Sequence, residues 1–271
     1  MRNKIGVNER KLIEEQIFLI IRDVFFKDKS SKKIEKIQGQ VYKELENVTN
    51  LNSKKIENNI VNLFFNNIKK EEFNTLLKEW YQARIKRDFN LIKRWIIGEK
   101  ALDYGCGKGD IGLSVSKKLR KEVILADVED RNVVNLPFYL VDEVNTAFKD
   151  KQFDTTFIIN VIHHTKYPDQ VIKEIARITK KRIIIFEHNL LREKSSRGLS
   201  NANLRLLFRI IEGLFYCPGK KKRPGMNFQD YSGLKKMFDR YRLNLISEEC
   251  VPFLNKDIFI LDGWLFVLDL D

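Results

Sequence analysis

The sequence predicts an α/β fold in which a mostly parallel sheet carries helices on both faces. A short apolar run ends in a glycine-rich turn, Ala101-Leu-Asp-Tyr-Gly-Cys-Gly-Lys-Gly109, and the next run, Ile111 to Leu119, has the pattern of a helix. Further along the chain, apolar runs alternate with helical segments, as strands and crossover helices do in such sheets.

The glycine turn predicts a ligand site with a particular charge preference. Gly107, Gly109 and Gly112 fit the G-x-G-x-x-G spacing that seats the pyrophosphate of a dinucleotide on a helix N-terminus. Asp103 argues against a dinucleotide, because a carboxylate ahead of the turn repels two phosphates and pairs well with an ammonium group. S-adenosylmethionine has such an ammonium and no phosphate.

The following strand adds a second acid. The run Glu122-Val-Ile-Leu-Ala-Asp127 is apolar and ends in a carboxylate, roughly 20 positions beyond the turn, where the ribose diol of a bound nucleoside would lie. Both dinucleotides and S-adenosylmethionine contain that diol. The strand therefore predicts a nucleoside pocket without choosing between the two cofactor classes.

Several ordered blocks resemble those of the class I S-adenosylmethionine-dependent methyltransferases, of the methyltransferase type 11 kind. The glycine turn resembles the first motif of that family. A later segment, Asp142 to Asp154, keeps the spacing D-x-x-x-x-P-F-x-D-x-x-F-D, with Ala147 where proline is usual. The runs Thr155 to His164, Tyr167 to Ile178 and Arg182 to His188 resemble the fourth strand, the next helix and the fifth strand.

The resemblance implies a fold and a set of cofactor contacts. It implies a Rossmann-like sheet of seven strands, the last of which, Gly263 to Asp269, enters antiparallel. It also implies contacts with each part of the cofactor. The methionine portion would contact Asp103, Tyr104, Gly105, Cys106, Gly107 and Gly109, and the ribose would contact Asp127 and Val128. The adenine would contact Asp142 and Glu143, and the sulfonium would lie beside Asn160 and Val161. Taken singly, an aspartate at a strand end is as often a turn or cap residue.

The three histidines of the chain, His163, His164 and His188, all follow the fourth and fifth strands. An acceptor that carries a proton needs a base, and imidazole titrates near neutral pH. We take His164 as the first candidate for that base and His188 as the second, with Glu187 able to orient one of the histidines. Nothing in the sequence supports a metal site, and Cys106 is expected to be a small filler rather than a nucleophile.

Residues 1–98 are expected to form an N-terminal helical region, and residues 99–271 the methyltransferase domain. Apolar residues recur at helical spacing from Leu12 to Phe25 and again from Ile60 to Ile68, and a third helix is expected from Glu71 to about Ile97. In that third helix, Tyr81 or Arg84 would reach the methionine carboxylate, although simple packing against the sheet is the commoner arrangement.

An insertion at residues 190–228 is the predicted substrate lid, because it begins beyond the C-terminal end of the fifth strand. Its amphipathic run, Leu204 to Tyr216, precedes the basic cluster Lys220 to Arg223. The apolar face would line a pocket, touch a membrane surface or pack on the N-terminal helices. Tentative substrate contacts are Phe208, Phe215 and Tyr216.

Charge separates these additions from the rest of the chain. The net charge of +13 comes from residues 1–98, with 21 basic and 13 acidic side chains, and residues 190–225, with nine and two. Residues 99–189 are nearly neutral, with 15 and 14. Three widely spaced cysteines and the lack of a long apolar run predict a cytoplasmic protein without disulfides or transmembrane helices.

The sequence leaves three functions open. The first is methyl transfer to an oxygen or nitrogen atom of a small or lipid-like acceptor, with peripheral membrane contact as an option. The second is methylation of tRNA or rRNA through the basic regions, where Phe208, Phe215, Tyr216 and Phe228 would stack on bases. The third is a scaffold without catalytic activity. The acceptor and the oligomeric state are not specified.

Overall fold

The computed structural model describes residues 7–25, 32–46, 54–188, 199–216, 227–252 and 262–270. These contain seven strands, eight α-helices and one 3₁₀ helix, Ile162–His164. The strands are β1 Lys100–Tyr104, β2 Glu122–Asp127, β3 Phe138–Leu140, β4 Phe153–Ile159, β5 Thr179–Glu187, β6 Asn244–Val251 and β7 Gly263–Asp269. The helices are α1 Val7–Phe25, α2 Lys32–Glu46, α3 Lys54–Asn67, α4 Lys70–Ile92, α5 Asp110–Leu119, α6 Pro168–Ile178, α7 Asn201–Tyr216 and α8 Tyr231–Arg240.

The chain divides into two compact units. Residues 1–82, 191–224 and 252–261 form a helical unit, and residues 83–190, 225–251 and 262–271 form a sheet unit. This division differs from the predicted ranges 1–98 and 99–271. The second half of α4 groups with the sheet because Phe89 and Ile92 are buried in the apolar layer on one face of the strands.

In the helical unit, α1, α2, α3 and α7 bury apolar faces. Ile13, Ile20, Ile37 and Ile60 are fully buried, which is the outcome expected for apolar residues at helical spacing. The α2 helix was not specified by the sequence analysis. The basic cluster Lys220 to Arg223 lies outside the described residues.

The α7 helix packs against α1 and α3 within the helical unit. Packing is therefore the observed arrangement for its apolar face, as one of the three predicted alternatives stated. Phe208, a tentative substrate contact, retains only 2% of its exposed area. The side chains of Phe215 and Tyr216 lie outside the described part of the structure.

In the sheet unit, the strand order is β3-β2-β1-β4-β5-β7-β6. The strands β1 to β5 pair in parallel, and β7 is antiparallel to both β5 and β6, as the resemblance implied. Apolar layers cover both faces of the sheet. Because β1, β2, β4 and β5 run in the same direction, the residues that follow them lie at one edge of the sheet.

The backbone conformation at Ala147 accounts for the alanine that stands where the family pattern usually has proline. Its φ angle is +57°, in the left-handed region. Proline fixes φ near −65°, so the proline that is usual in the family at this position cannot fit the backbone conformation of this chain. An alanine in this conformation is strained, since its Cβ lies close to the following carbonyl.

Replacing Ala147 by glycine is expected to raise the free energy of unfolding by about 0.5 to 1 kcal/mol, because glycine adopts a positive φ without this strain. Replacing Ala147 by proline should lower it by about 3 kcal/mol or more. Urea unfolding of the three proteins measures both changes. The matched control is Ala176→Gly inside α6, where glycine should cost about 1 kcal/mol. Equal losses at both alanines would show that the left-handed residue is not strained.

Candidate active site

The glycine turn after β1 has left-handed backbone at Gly105, Gly107 and Gly109, with φ of +74°, +56° and +83°. The Gly105 and Cys106 amides donate to the Ala126 carbonyl at 2.8 and 3.1 Å, which ties the turn to β2. A Cβ atom on Gly105 would lie 2.4 Å from Val161 Cγ2, so the turn and the exit of β4 are in close contact. A Cβ on Gly107 would meet no atom within 4 Å. The backbone therefore faces open space at Gly107.

Asp127 closes the end of β2 and is only 4% exposed. Its Oδ2 accepts a hydrogen bond from the Gly107 amide at 2.8 Å, and its Oδ1 accepts one from Glu129 at 3.1 Å. An Arg131 nitrogen lies 3.7 Å from Oδ2. In this arrangement the carboxylate shapes the glycine turn, and the next residue, Val128, is 54% exposed.

Asp103 is buried within the same turn, with 3% exposure. Its Oδ2 accepts a hydrogen bond from Gly112 at 2.9 Å, in the first turn of α5. Burial raises the pKa of this carboxyl to about 8; the Gly112 amide opposes the rise, and the nearby carboxylates of Asp127 and Asp110 add to it. Asp103 is therefore a buried acid of β1 whose side chain accepts a backbone amide from the first turn of α5, while Gly109 occupies the cap position of that helix.

The surroundings of Cys106 disfavour the thiolate form that a nucleophile needs. Burial raises the pKa of its thiol well above the ordinary value, and the carboxylates of Asp103 and Asp127 raise it further. Only the thiolate is reactive, so the thiol of this turn is inert at neutral pH.

The Asp142–Glu143 loop is held by contacts that the sequence did not predict. Asp142 is exposed, and its Oδ1 accepts a hydrogen bond from the Val144 amide at 3.0 Å. The Glu143 carbonyl accepts from the Tyr104 hydroxyl, which lies at the end of β1. Glu143 Oε1 accepts from the Lys166 and Tyr167 amides, just before α6. Glu143 therefore joins the segment after β3 to the segment after the histidine pair.

Asn160 begins the turn after β4 with a φ angle of +57°. Its amide donates to the Phe186 carbonyl at 2.7 Å, and its Oδ1 accepts from the His188 amide at 3.0 Å. Asn160 Nδ2 is buried and has no hydrogen-bond partner among the described residues. The two strand exits are thus joined through one side-chain amide.

Glu187, at the end of β5, is fully buried. Its Oε1 accepts from the amides of Val161 and Ile162, each at 2.7 Å. Its Oε2 lies 2.6 Å from His163 Nδ1. The prediction that Glu187 orients a histidine is confirmed for His163. Because the carboxylate accepts at Nδ1, the neutral imidazole carries its lone pair on Nε2.

The other two histidines have different surroundings. His164 is half-buried, and its ring centroid lies 4.0 Å from that of His163. His188 Nε2 lies 3.1 Å from an Arg87 guanidinium nitrogen, and Arg87 is in turn paired at 2.7 Å with the buried Asp88. Guanidinium only donates, so His188 accepts this bond at Nε2 and is neutral with its proton on Nδ1.

The structure brings together the predicted residues of the glycine turn, β2, β4 and β5 at one edge of the sheet. Phe228, one of the predicted stacking aromatics, is 5% exposed and lies parallel to the His163 ring at a centroid distance of 6.4 Å. The sequence analysis missed Arg87, Asp88 and the side chain of Glu143. Their contacts join residues far apart in sequence, and no local motif signals such pairs.

Asp103 should give the folded chain a measurable dependence of stability on pH. The ordinary pKa of 3.8 applies to the unfolded chain, whereas the folded chain holds the proton up to about pH 8. Between these values the folded state binds more protons, so the contribution of this group to stability falls as pH rises. Asp103→Asn should therefore raise the melting temperature at pH 8 more than at pH 5, as scanning calorimetry measures. Asp239→Asn, at an exposed position, is the control; parallel curves for wild type and Asp103→Asn would contradict the assignment.

Solved structures share this fold. The PH0226 protein of Pyrococcus horikoshii superposes with a TM-score of 0.52 and 20% identity, covering 70% of this chain and 91% of its own. The YcgJ protein of Bacillus subtilis gives 0.51 and 16%, covering 68% and 98%. Magnesium protoporphyrin IX methyltransferase of Synechocystis, solved with bound S-adenosylhomocysteine, gives 0.50 and 13%, covering 75% and 89%. At these identities the likeness concerns the fold.

No curated protein sequence is significantly similar to the chain. None of the described helices is both long and apolar enough to cross a membrane. A family model of the methyltransferase domain matches residues 102–186, from β1 through most of β5. This segment contains the glycine turn, Asp127, Asp142 and the histidine pair. Over residues 102–186 the chain is therefore similar to the methyltransferase domain family.

Proposed function

We propose that this methyltransferase acts on an oxygen or nitrogen atom of a small or lipid-like acceptor, with His164 as the general base. The observation that carries the proposal is the turn held by Glu187. It fixes two histidines at the sheet edge that also bears the glycine turn, and the second of them is half-buried rather than enclosed.

The residues of the sheet unit fit S-adenosylmethionine. The open space at Gly107 accommodates a ligand against the backbone, and the glycine turn has buried carboxylates on both sides. In our proposal Asp103 and the turn Tyr104–Gly109 hold the methionine portion, and Asp127 with Val128 the ribose. Asp142 and Glu143 then contact the adenine, and Asn160 and Val161 the region of the sulfonium. When bound, the cofactor supplies a methyl group activated by positively charged sulfur.

The protein has two remaining tasks, which are to orient the acceptor and to take its proton. Glu187 and His163 are positioning residues in this proposal, because they anchor the short helix that carries His164. His188 is a weaker candidate for the base, since the nitrogen that would accept a proton already accepts from Arg87. An imidazole beside the acceptor contributes about 10²- to 10⁴-fold to the rate of such a step.

Burial of two aromatic residues weakens the argument for RNA. Phe208 and Phe228 are 2% and 5% exposed, so neither offers a face on which a base would stack without rearrangement. The basic charge of the additions still favours RNA as the second candidate. A steep loss of activity with salt would indicate RNA, because phosphate contacts release counterions.

Asp127→Asn is expected to weaken binding of S-adenosylmethionine and S-adenosylhomocysteine by about 10- to 100-fold, since one charged hydrogen-bond partner of the ribose is lost. Calorimetric titration of wild type and variant with both ligands and with NAD measures the effect. Asp239→Asn is the matched control on the exposed side of α8. Unchanged affinity in Asp127→Asn, or binding of NAD alone, would contradict the proposed contacts.

His164→Ala is expected to lower turnover by about 10²-fold or more while leaving the affinity for S-adenosylmethionine unchanged. The assay screens phenols, amines, a lipid extract and total tRNA for transfer of a tritiated methyl group, and then compares variants on the best acceptor. In the wild type, kcat should fall at acidic pH as the histidine is protonated, and His164→Ala should lose this dependence. An unaffected rate would make the histidine structural, and transfer to tRNA alone would overturn the acceptor class.

A further inference from the structure

The α7 helix carries two arginines on one face, next to side chains that are mostly buried. Its apolar side chains from Leu204 to Leu214 are at most 6% exposed. Arg205 is exposed and Arg209 is half-buried, and the two stand at i and i+4 on the same face. Like charges at this spacing destabilise a helix by about 0.2 to 0.5 kcal/mol.

Among the described residues, Arg209 differs from other half-buried arginines in its contacts. Arg177 pairs with Glu174 and Asp150, and Arg182 pairs with Asp269. Within the described residues, Arg209 forms no hydrogen bond or ion pair, and its Nε is buried. A buried donor without an acceptor is costly, and here one nitrogen of a half-buried guanidinium is in that position. An anion beside the guanidinium group would offset part of this cost.

A backbone amide at the start of α7 already donates a hydrogen bond to a side chain of α1. Glu9, on α1, accepts a hydrogen bond from the Ser200 amide, just before the helix begins. The proposed anion would therefore contact the two guanidinium groups, which stand about one and two turns beyond the helix start.

We propose that Arg205 and Arg209 form a binding site for a phosphate group. Two guanidinium groups carry two positive charges and present planar forks of donors, which suit a dianionic phosphate ester better than a single carboxylate. The source favoured by the structure is a small phosphate ester rather than a phospholipid surface, because the described apolar side chains of α7 are buried and offer no face for insertion into a membrane.

The first test titrates the full chain with inorganic phosphate and with glycerol 3-phosphate at constant ionic strength. Arg209→Gln should weaken binding of both about tenfold, and Arg205→Gln should weaken it less. Arg209→Lys should restore part of the affinity, since it keeps the charge and loses the fork. Lys36→Gln, an exposed position on α2, removes the same charge and should have no effect. Failure of the wild type to bind, or equal loss in Lys36→Gln, would overturn the site.

The second test uses stability without ligand. Arg209→Met removes a partly desolvated cation, so its thermal midpoint in phosphate-free buffer should be higher than that of the wild type, and phosphate should no longer raise it. Arg205→Met provides the same comparison at an exposed position. A lower midpoint for Arg209→Met together with an unchanged response to phosphate would contradict the proposal.

Vesicles distinguish the two sources of phosphate. Co-sedimentation with phosphatidylcholine vesicles that contain phosphatidic acid should be weak for the wild type if the ligand is a small ester. If the wild type co-sediments strongly and Arg209→Gln does not, the phosphate site is supported and its ligand is a lipid headgroup. Strong co-sedimentation that persists in Arg209→Gln, without binding of glycerol 3-phosphate, would refute it. These readouts measure binding alone, so they do not depend on the proposed methyl transfer.

Discussion

The arrangement of the sheet edge that bears the histidines depends on the hydrogen bonds of Glu187. One of its oxygens holds the amides of Val161 and Ile162, and the other holds the His163 ring. Because the carboxylate is fully buried, each of these bonds is made in a medium of low dielectric constant, where it is strong and where an unpaired charge would be costly. The β5 strand supplies the carboxylate and the exit of β4 supplies the donors, so the pairing of two central strands determines where the histidines lie.

The glycine turn is stabilised by a different set of contacts. The glycine turn is shaped by hydrogen bonds to Ala126 and Asp127, and Asp103 is kept buried beneath it with a raised pKa. An acid in that state stabilises the fold less than a neutral residue would at neutral pH, and a positive charge placed beside it would relieve the cost. Local instability of this kind is common at functional sites, where selection acts on the liganded protein.

Much of this arrangement could be predicted from the sequence, because it is encoded locally. The glycine turn and the acids of β1 and β2 follow from short motifs in order, and the family resemblance implied the antiparallel last strand. The division of α4 between two units could not be predicted, and the sequence left the packing of α7 as one of three alternatives, because both depend on which apolar faces meet. The contacts of Arg87 with His188, and of Glu143 with Lys166, join distant residues that carry no mutual signal.

Gly105 has a consequence for how this site can change. Its missing side chain allows Val161 to lie against the backbone of the glycine turn. The distance between the glycine turn and the histidine loop therefore depends on the absence of a side chain at Gly105, and a larger residue there would force the two loops apart. Variation at the edge of the sheet is thus freer at the surrounding side chains than at this central contact.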